Sequence, residues 1–224
     1  SLVVVRRALT DPDPLVRAAA VSTLGLVQTE ARSELVAPLL TDPVRAVRLE
    51  AARVLAGVPL DRLSDGQRVT LTRTLEEYRV SQLTNADRAE THLNLGVLAV
   101  QLGRYDDAEG AYRTALRIDS GFVAAHLNLA DLYRQQGHEA EGEKVLRDAL
   151  AVTEEPAHVE HSLGLLLVRQ ERLPEALQVL RSAAERRPDL SRYVYVYGVA
   201  LQSTGNVLGA LEVLLTAHER HPED

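Results

Sequence analysis

Several residue types are scarce or missing in this 224-residue sequence, which has no cysteine, no methionine, no tryptophan and a single phenylalanine. Without cysteine, the chain has no disulfide, no thiolate metal site, no cysteine nucleophile and no CxxCH haem attachment. The compartment stays open, because a cysteine-free protein tolerates either redox environment. With only 4% aromatic residues, alanine and leucine supply the apolar side chains, which favours closely packed helices over β-structure.

A basic stripe and a long apolar run are missing as well. The formal net charge is −7 and only one of the 25 basic residues, Lys144, is a lysine. Nucleic-acid binding normally requires clustered cations, so we expect no nucleic-acid partner. No apolar run approaches the ~20 residues of a membrane helix, so we expect no membrane insertion. The sequence starts at Ser1 without a methionine, which we interpret as a fragment or a processed form.

One pattern recurs four times between residues 88 and 224, at a step of 34 residues. Its most recognisable members are the pairs Leu95-Gly96, Leu129-Ala130, Leu163-Gly164 and Tyr197-Gly198. A small residue, a large apolar residue and an alanine follow each pair at fixed distances. A glycine inside a helix costs about 0.5–1 kcal/mol against alanine. We therefore expect a second helix to cross at Gly164, with Ala176 facing it.

This period and this order of small and large positions resemble the tetratricopeptide repeat, a helix-pair repeat. The resemblance implies an all-α fold without a sheet, a right-handed α-solenoid of antiparallel helix pairs. Four repeats are expected within 88–224, at about 89–122, 123–156, 157–190 and 191–224. Their first helices are predicted at 88–102, 122–136, 156–170 and 190–204. Their second helices are predicted at 105–118, 139–152, 173–186 and 207–220.

A second repeat, with a step of 31 residues, lies within residues 1–57. It consists of Thr10-Asp11-Pro12 and Thr41-Asp42-Pro43, followed by Val16-Arg17 and Val47-Arg48. The pattern resembles HEAT repeats, and the physics agrees, because Asp caps a helix start and Pro suits the first turn. The helices predicted here span 2–9, 14–27, 31–40 and 44–56.

Residues 58–87 are predicted to connect the two repeat regions. A loop leads to a helix at about 66–83, capped by Ser64 or Asp65. Tyr78 lies 34 residues before Tyr112, so this helix resembles the second helix of a tetratricopeptide repeat that lacks its first helix.

The tetratricopeptide resemblance implies that the first helices line a concave groove for an extended peptide or protein partner. The candidate groove residues carried over onto this sequence are Leu93, Asn94, Leu127, Asn128, Asp131, Arg134, His161, Arg169, Arg192 and Tyr195. Further groove positions are Glu90, Val97, Gln101, Gln135, His158, Leu165, Val199 and Gln202. Asn94 and Asn128 stand out, because an amide side chain can donate to and accept from a peptide unit at once. The alternative is that both belong to the repeat consensus and bond only to neighbouring helices.

The charged residues of this groove leave two alternatives open. Arg134, Arg169 and Arg192 could bind an acidic segment, although the groove has no lysine and does not match the carboxylate clamp of chaperone-binding repeats. His158 and His161 share a helix face at a spacing that permits two metal ligands. No third ligand is obvious, so no metal site and no cofactor are predicted. The sequence has no glycine-rich phosphate loop and no GxSxG or HExxH motif, so we expect no enzyme.

Two other functions are compatible with these repeats. Residues Glu76–Gly96 and Arg192–Leu201 resemble the tails of some bacterial multihaem c-type cytochromes, which would make the chain an accessory C-terminal domain of a periplasmic electron-transfer protein. Without that relationship a cytoplasmic location is expected. The third hypothesis is a self-assembling structural solenoid. It rests on Leu208, Leu211 and Leu215 in an uncapped last helix, through which a homo-oligomer would form.

Overall fold

The computed structural model describes residues 2–26 and 31–220, and in these residues the fold is all-α, with no strand. The N-terminal α-helices are α1 (Leu2–Ala8), α2 (Pro14–Leu26), α3 (Arg32–Val36), α4 (Arg45–Leu55), α5 (Asp65–Leu83) and α6 (Ala89–Gln101). They are followed by α7 (Tyr105–Ile118), α8 (Val123–Gln135), α9 (Glu139–Val152), α10 (Pro156–Arg169), α11 (Leu173–Arg186), α12 (Ser191–Ser203) and α13 (Val207–Arg220). The predicted all-α solenoid class is confirmed.

The chain divides into two compact units, residues 1–111 and 112–224, with the division inside α7. In unit 1, α4 packs between α2 and α5, and α5 packs on α6. In unit 2, every helix from α8 to α13 packs on the helix that follows it, and α8 also contacts α10. Neighbour-to-neighbour packing of this kind is the pattern of a repeat protein. The repeat boundaries predicted from the sequence stay predictions.

The two HEAT-like repeats of unit 1 are joined by a buried ion pair. Arg17 of α2 donates from Nε and Nη2 to the two carboxylate oxygens of Asp42, at 2.8 and 2.9 Å. Asp42 also accepts the backbone N–H of Val44 at 2.8 Å, before α4 begins. The Arg17 side chain is 12% exposed and that of Asp42 only 4%. The guanidinium beside Asp42 holds the pKa of this carboxyl below its usual value.

One predicted helix of unit 1 is wrong in form. The stretch 31–40 was expected to be a single helix, but α3 ends at Val36 and a 3-10 helix continues over Ala37–Thr41. Pro38 explains the break, because proline has no N–H to donate and its ring clashes with the preceding helical turn. The predicted helix 14–27 is observed as α2 up to Leu26, and residue 27 lies outside the described residues.

The connecting helix α5 begins as the sequence predicts. The Ser64 hydroxyl accepts the backbone N–H of Gln67 at 3.3 Å, and the Gln67 side chain accepts the backbone N–H of Ser64 at 2.9 Å. This reciprocal pair is a capping box, which satisfies two N–H groups at the start of a helix. Tyr78 of α5 is buried beside Ala56 and Leu98, so this helix is part of the core of unit 1.

The helix crossings of unit 2 occur at small residues, but one predicted partner is wrong. A Cβ on Gly164 of α10 would lie 2.4 Å from Cδ2 of Leu180 on α11, so the residue over this glycine is Leu180 and not Ala176. Gly198 of α12 lies in the same way under Leu214 of α13, at 2.9 Å. The expected close crossing is therefore present, one helical turn further along the second helix.

The turn between the helices of a pair requires a left-handed backbone. Gly103, Gly137 and Gly205 adopt positive φ at three equivalent turns, with values of 69°, 76° and 84°. At the fourth, Glu171 takes φ = 60°, a conformation that costs a side-chain-bearing residue roughly 1–2 kcal/mol. The 34-residue period is therefore kept at this turn, although its residue type is not.

Candidate functional site

A cleft of about 140 Å³ opens between α8 and α10 in unit 2. Its apolar lining comes from Leu127 and Ala130 of α8, from Leu146 of α9, and from Leu165 and Leu166 of α10. Its polar lining consists of Asp131, Arg134, Ser162 and Arg169. Because residues one helical turn apart share a face, α8 presents Leu127, Asp131 and Arg134 on one side. The structure thus brings together four of the ten predicted groove residues: Leu127, Asp131, Arg134 and Arg169.

The charges at the rim of this cleft are paired within the protein. Arg134 Nε donates to Asp131 Oδ1 at 2.7 Å, and Gln135 donates to Asp131 Oδ2 at 2.8 Å. Arg169 reaches Glu139 of α9 at 3.3 Å. All four charged side chains are between 33% and 50% exposed, and such ion pairs contribute about 0–1 kcal/mol. A ligand carboxylate or carbonyl can therefore compete for either guanidinium at little cost.

The two predicted asparagines lie in different units. Asn94 of α6 is exposed in unit 1 and donates to the side-chain oxygen of Gln82 at 3.2 Å, and Leu93 beside it is half-buried. Asn128 of α8 is half-buried in unit 2 and donates from Nδ2 to the backbone carbonyl of Ala124 at 2.8 Å. Each asparagine therefore has its amide nitrogen engaged within its own unit. Neither lines the cleft between α8 and α10.

His161 of α10 lies in a buried aromatic cluster and does not line the cleft. Its side chain is stacked on Tyr193 of α12, with ring centroids 4.1 Å apart and planes 14° apart, and the residue is 5% exposed. Neither ring nitrogen has a hydrogen-bond partner among the described residues. Burial, helped by the positive charge of Arg192 and by His158, lowers the pKa of His161 to about 4. His158 itself hydrogen-bonds through Nδ1 to the Tyr193 hydroxyl.

The size of Tyr193 is the signal that sequence reasoning missed. At the same position of the three preceding repeats the residues are Thr91, Ala125 and Val159, all smaller than tyrosine. A tyrosine here reaches back to α10 and covers His161, which otherwise occupies a groove position. The remaining predicted groove residues, Arg192 and Tyr195, are exposed on α12. Tyr195 is 60% exposed.

Other surfaces of the molecule bear on metal binding, membrane insertion and self-association. Within residues 2–26 and 31–220, no group of three or more His, Asp or Glu side chains is arranged to hold a metal ion. In the same residues no helix is both long and apolar enough to cross a membrane. On α13, Leu208, Leu211 and Leu215 are 81%, 54% and 52% exposed. Self-association through this face stays a prediction.

Three family models match the chain. A HEAT repeat model matches residues 1–60. Two tetratricopeptide repeat models match residues 99–161 and 161–224. No curated protein matches this chain. The resemblance of Glu76–Gly96 and Arg192–Leu201 to multihaem cytochrome tails receives no support from these comparisons.

Solved tetratricopeptide proteins share the fold. A crystal structure of MamA is 18% identical, covers 72% of this chain and 96% of its own, and has a TM-score of 0.56. TTC0263, described as a thermophilic TPR protein in Thermus thermophilus, is 19% identical over 84% of this chain and 97% of its own, with a TM-score of 0.53. YrrB, described as a TPR protein with an unusual peptide-binding site, is 20% identical over 82% of this chain and 89% of its own, with a TM-score of 0.50.

These structures agree with the family models on the type of repeat. The models place HEAT repeats before the connecting helix and tetratricopeptide repeats after it, in the order that the two sequence periods predict. The chain is therefore built of HEAT repeats at its N-terminal side and of tetratricopeptide repeats from about residue 99 onward.

Proposed function

We propose that this protein is a protein-interaction scaffold whose cleft between α8 and α10 binds an extended segment of a partner. The cleft carries the proposal, because it combines an apolar floor around Leu127 and Leu165 with exposed polar groups at its rim. Peptide-recognition sites generally have this combination, in which the floor takes an anchoring side chain and the rim orients the backbone.

The rim charges favour a segment without a strong net charge. Asp131 and Glu139 neutralise Arg134 and Arg169 one for one, so neither sign predominates. A carboxylate on the segment would have to displace one of these weak ion pairs, whereas a backbone carbonyl can use an unoccupied N–H of the same guanidinium. The apolar anchor is therefore expected to determine binding, with the arginines as backbone donors.

Asn128 is the second part of the proposal. Its Nδ2 is held by the Ala124 carbonyl, which fixes the orientation of the side chain and leaves Oδ1 as an acceptor for a peptide N–H. Replacing Asn128 by Ala then costs roughly 1–3 kcal/mol of binding, because the peptide N–H would be buried without an acceptor. His161 is not part of this site, because Tyr193 covers it.

A library of immobilised seven-residue peptides, probed with the full chain, tests the cleft. Leu165→Glu should lower the capture of cleft ligands about tenfold or more, because it places a charge on the apolar floor. Val152→Glu is the matched control, since Val152 is an exposed apolar residue of α9 that does not line the cleft. If no captured peptide responds to Leu165→Glu more than to Val152→Glu, the cleft is not the binding site.

A further inference from the structure

The second helices α9 and α11 are joined by a network of four charged residues. Arg172, just before α11, lies 2.6 Å from Glu143 of α9 and 2.7 Å from Glu175 of α11. Arg147 of α9 lies 2.7 Å from Glu143 and 3.2 Å from Glu175. Glu143 is only 15% exposed at its side chain. Each arginine therefore meets both carboxylates, and the network ties the two helices together across the groove between them.

One repeat further along, this network is lost. A step of 34 residues carries Glu143 to Leu177, Arg172 to Asn206 and Glu175 to Gly209, and only Arg147 keeps its type, as Arg181. Arg181 pairs instead with Glu185 on its own helix, at 2.7 Å. Asn206 accepts the backbone N–H of Gly209 at 3.0 Å and so caps α13. The residues that bridge α9 and α11 thus have no counterpart between α11 and α13.

An open groove lies where the network is missing. A cavity of about 620 Å³ runs between α11 and α13, with Val194, Tyr197 and Leu201 of α12 as its floor. Gly209 has no side chain to extend into it, and Ala184 stands on the opposite wall. The groove is therefore apolar at its base, and its walls are formed by second helices, whereas first helices form the cleft of the proposed function.

The walls define the charge and the length of an occupant. The Arg181–Glu185 pair neutralises one wall. On the other wall, Glu212 is exposed and no cation lies within ion-pair distance of it among residues 112–219. The α13 wall runs from Asn206 to Ala217, about 16 Å at 1.5 Å per helical residue. An extended chain covers this distance with about five residues.

We propose that the groove between α11 and α13 binds a short extended segment of a second partner protein, with an apolar side chain on the floor and a Lys or Arg facing Glu212. The apolar side chain is buried against Tyr197 and Leu201. The cation balances the unpaired carboxylate on the α13 wall. This surface is separate from the cleft between α8 and α10, so one chain can hold two different segments at once.

The same peptide library tests this groove with three variants of the full chain. Gly209→Glu restores the residue type of Glu175 and fills the groove, and Glu212→Arg reverses the charge of the wall. Glu219→Arg is the matched control, because it makes the same charge change on the same helix but lies outside the groove. Circular dichroism of each variant confirms that the helical fold is retained.

The expected result is a set of captured peptides that share a basic residue next to an apolar one. Gly209→Glu lowers their capture at least about tenfold, Glu212→Arg lowers it about two- to fivefold and shifts the preference to acidic peptides, and Glu219→Arg leaves it unchanged. Leu165→Glu also leaves these peptides bound, which separates this groove from the cleft.

Three results would overturn the proposal. The first is that no captured peptide responds to Gly209→Glu. The second is that the peptides that respond are acidic in the unmodified chain. The third is light scattering that shows a dimer which Gly209→Glu dissociates, since a second copy would then occupy the groove.

Discussion

Replacing Gly164 by alanine should destabilise unit 2, although alanine is the better helix former. The new Cβ would lie 2.4 Å from Cδ2 and 2.5 Å from Cγ of Leu180, whereas carbon atoms in contact normally stay about 3.5–4.0 Å apart. Leu180 is fully buried in a cluster with Leu163 and Leu167, so it must retreat by about 1 Å into a packed core. Such overpacking costs about 1–3 kcal/mol.

The helix preference of alanine offsets part of this cost. Alanine gains about 0.5–1 kcal/mol over glycine inside a helix, so the net loss in the free energy of unfolding is about 0.5–2 kcal/mol. Gly110→Ala provides the control. Gly110 lies in α7, is exposed, and has no neighbouring atom within 4 Å of a built Cβ, so that variant should be more stable by about 0.5–1 kcal/mol.

Urea unfolding followed by circular dichroism measures both variants, and a double-mutant cycle identifies the cause. In a Leu180→Ala background the space above residue 164 is empty, so Gly164→Ala should become neutral or stabilising, with a coupling energy of about 1–3 kcal/mol. If Gly164→Ala stabilises the unmodified protein as much as Gly110→Ala does, then Leu180 does not restrict this crossing and the packing argument is wrong.

Two further predictions concern ionisable groups with opposite charge. The pKa of His161 is lowered to about 4 by burial, Arg192 and His158, so its neutral form stabilises the fold fully above the unfolded value of about 6.5. As pH falls from 6.5 to 4, up to about 3 kcal/mol of this stability is lost; urea titrations at several pH values should show this slope, and His161→Phe should remove it. Asp42→Asn should cost about 3–5 kcal/mol in unit 1, because Arg17 is left buried without its counter-ion, whereas Glu76→Gln at an exposed pair should cost under about 1 kcal/mol. Because the pKa of Asp42 is lowered, its stabilisation is present above the unfolded value of about 3.9 and is lost as pH falls below it; equal losses for the two variants would contradict the buried pair.

The periods in the sequence were sufficient to predict the helices but not their contacts. The bounds of α5 and of every helix in unit 2 agree with the predicted ranges to within one residue, because capping residues and apolar spacing act locally. The residue that covers Gly164 was not predictable in the same way. Ala176 and Leu180 are one turn apart on the same helix face, and the crossing angle between two helices, which the sequence does not show, decides which of them lies over the glycine.

Burial at the groove positions was also beyond the repeat pattern. The repeat resemblance assigns His161 and Leu127 to equivalent positions, yet His161 is buried and Leu127 lines a cleft. The difference comes from the next repeat, where Tyr193 stacks on the histidine. A family pattern describes an average neighbour, so it cannot show a side chain that one unusually large neighbour covers.

The departures from the 34-residue period determine where this protein has surfaces available to partners. Where the repeat keeps Glu143 and Arg172, charged residues join adjacent second helices, and where it substitutes Leu177 and Asn206, a groove opens. Because each repeat contacts mainly its neighbours, such a change alters one groove without affecting the helix pairs further away. A repeat protein can therefore gain a binding surface through two or three substitutions, while the close crossings of its helix pairs, such as that of Gly164 with Leu180, preserve the fold.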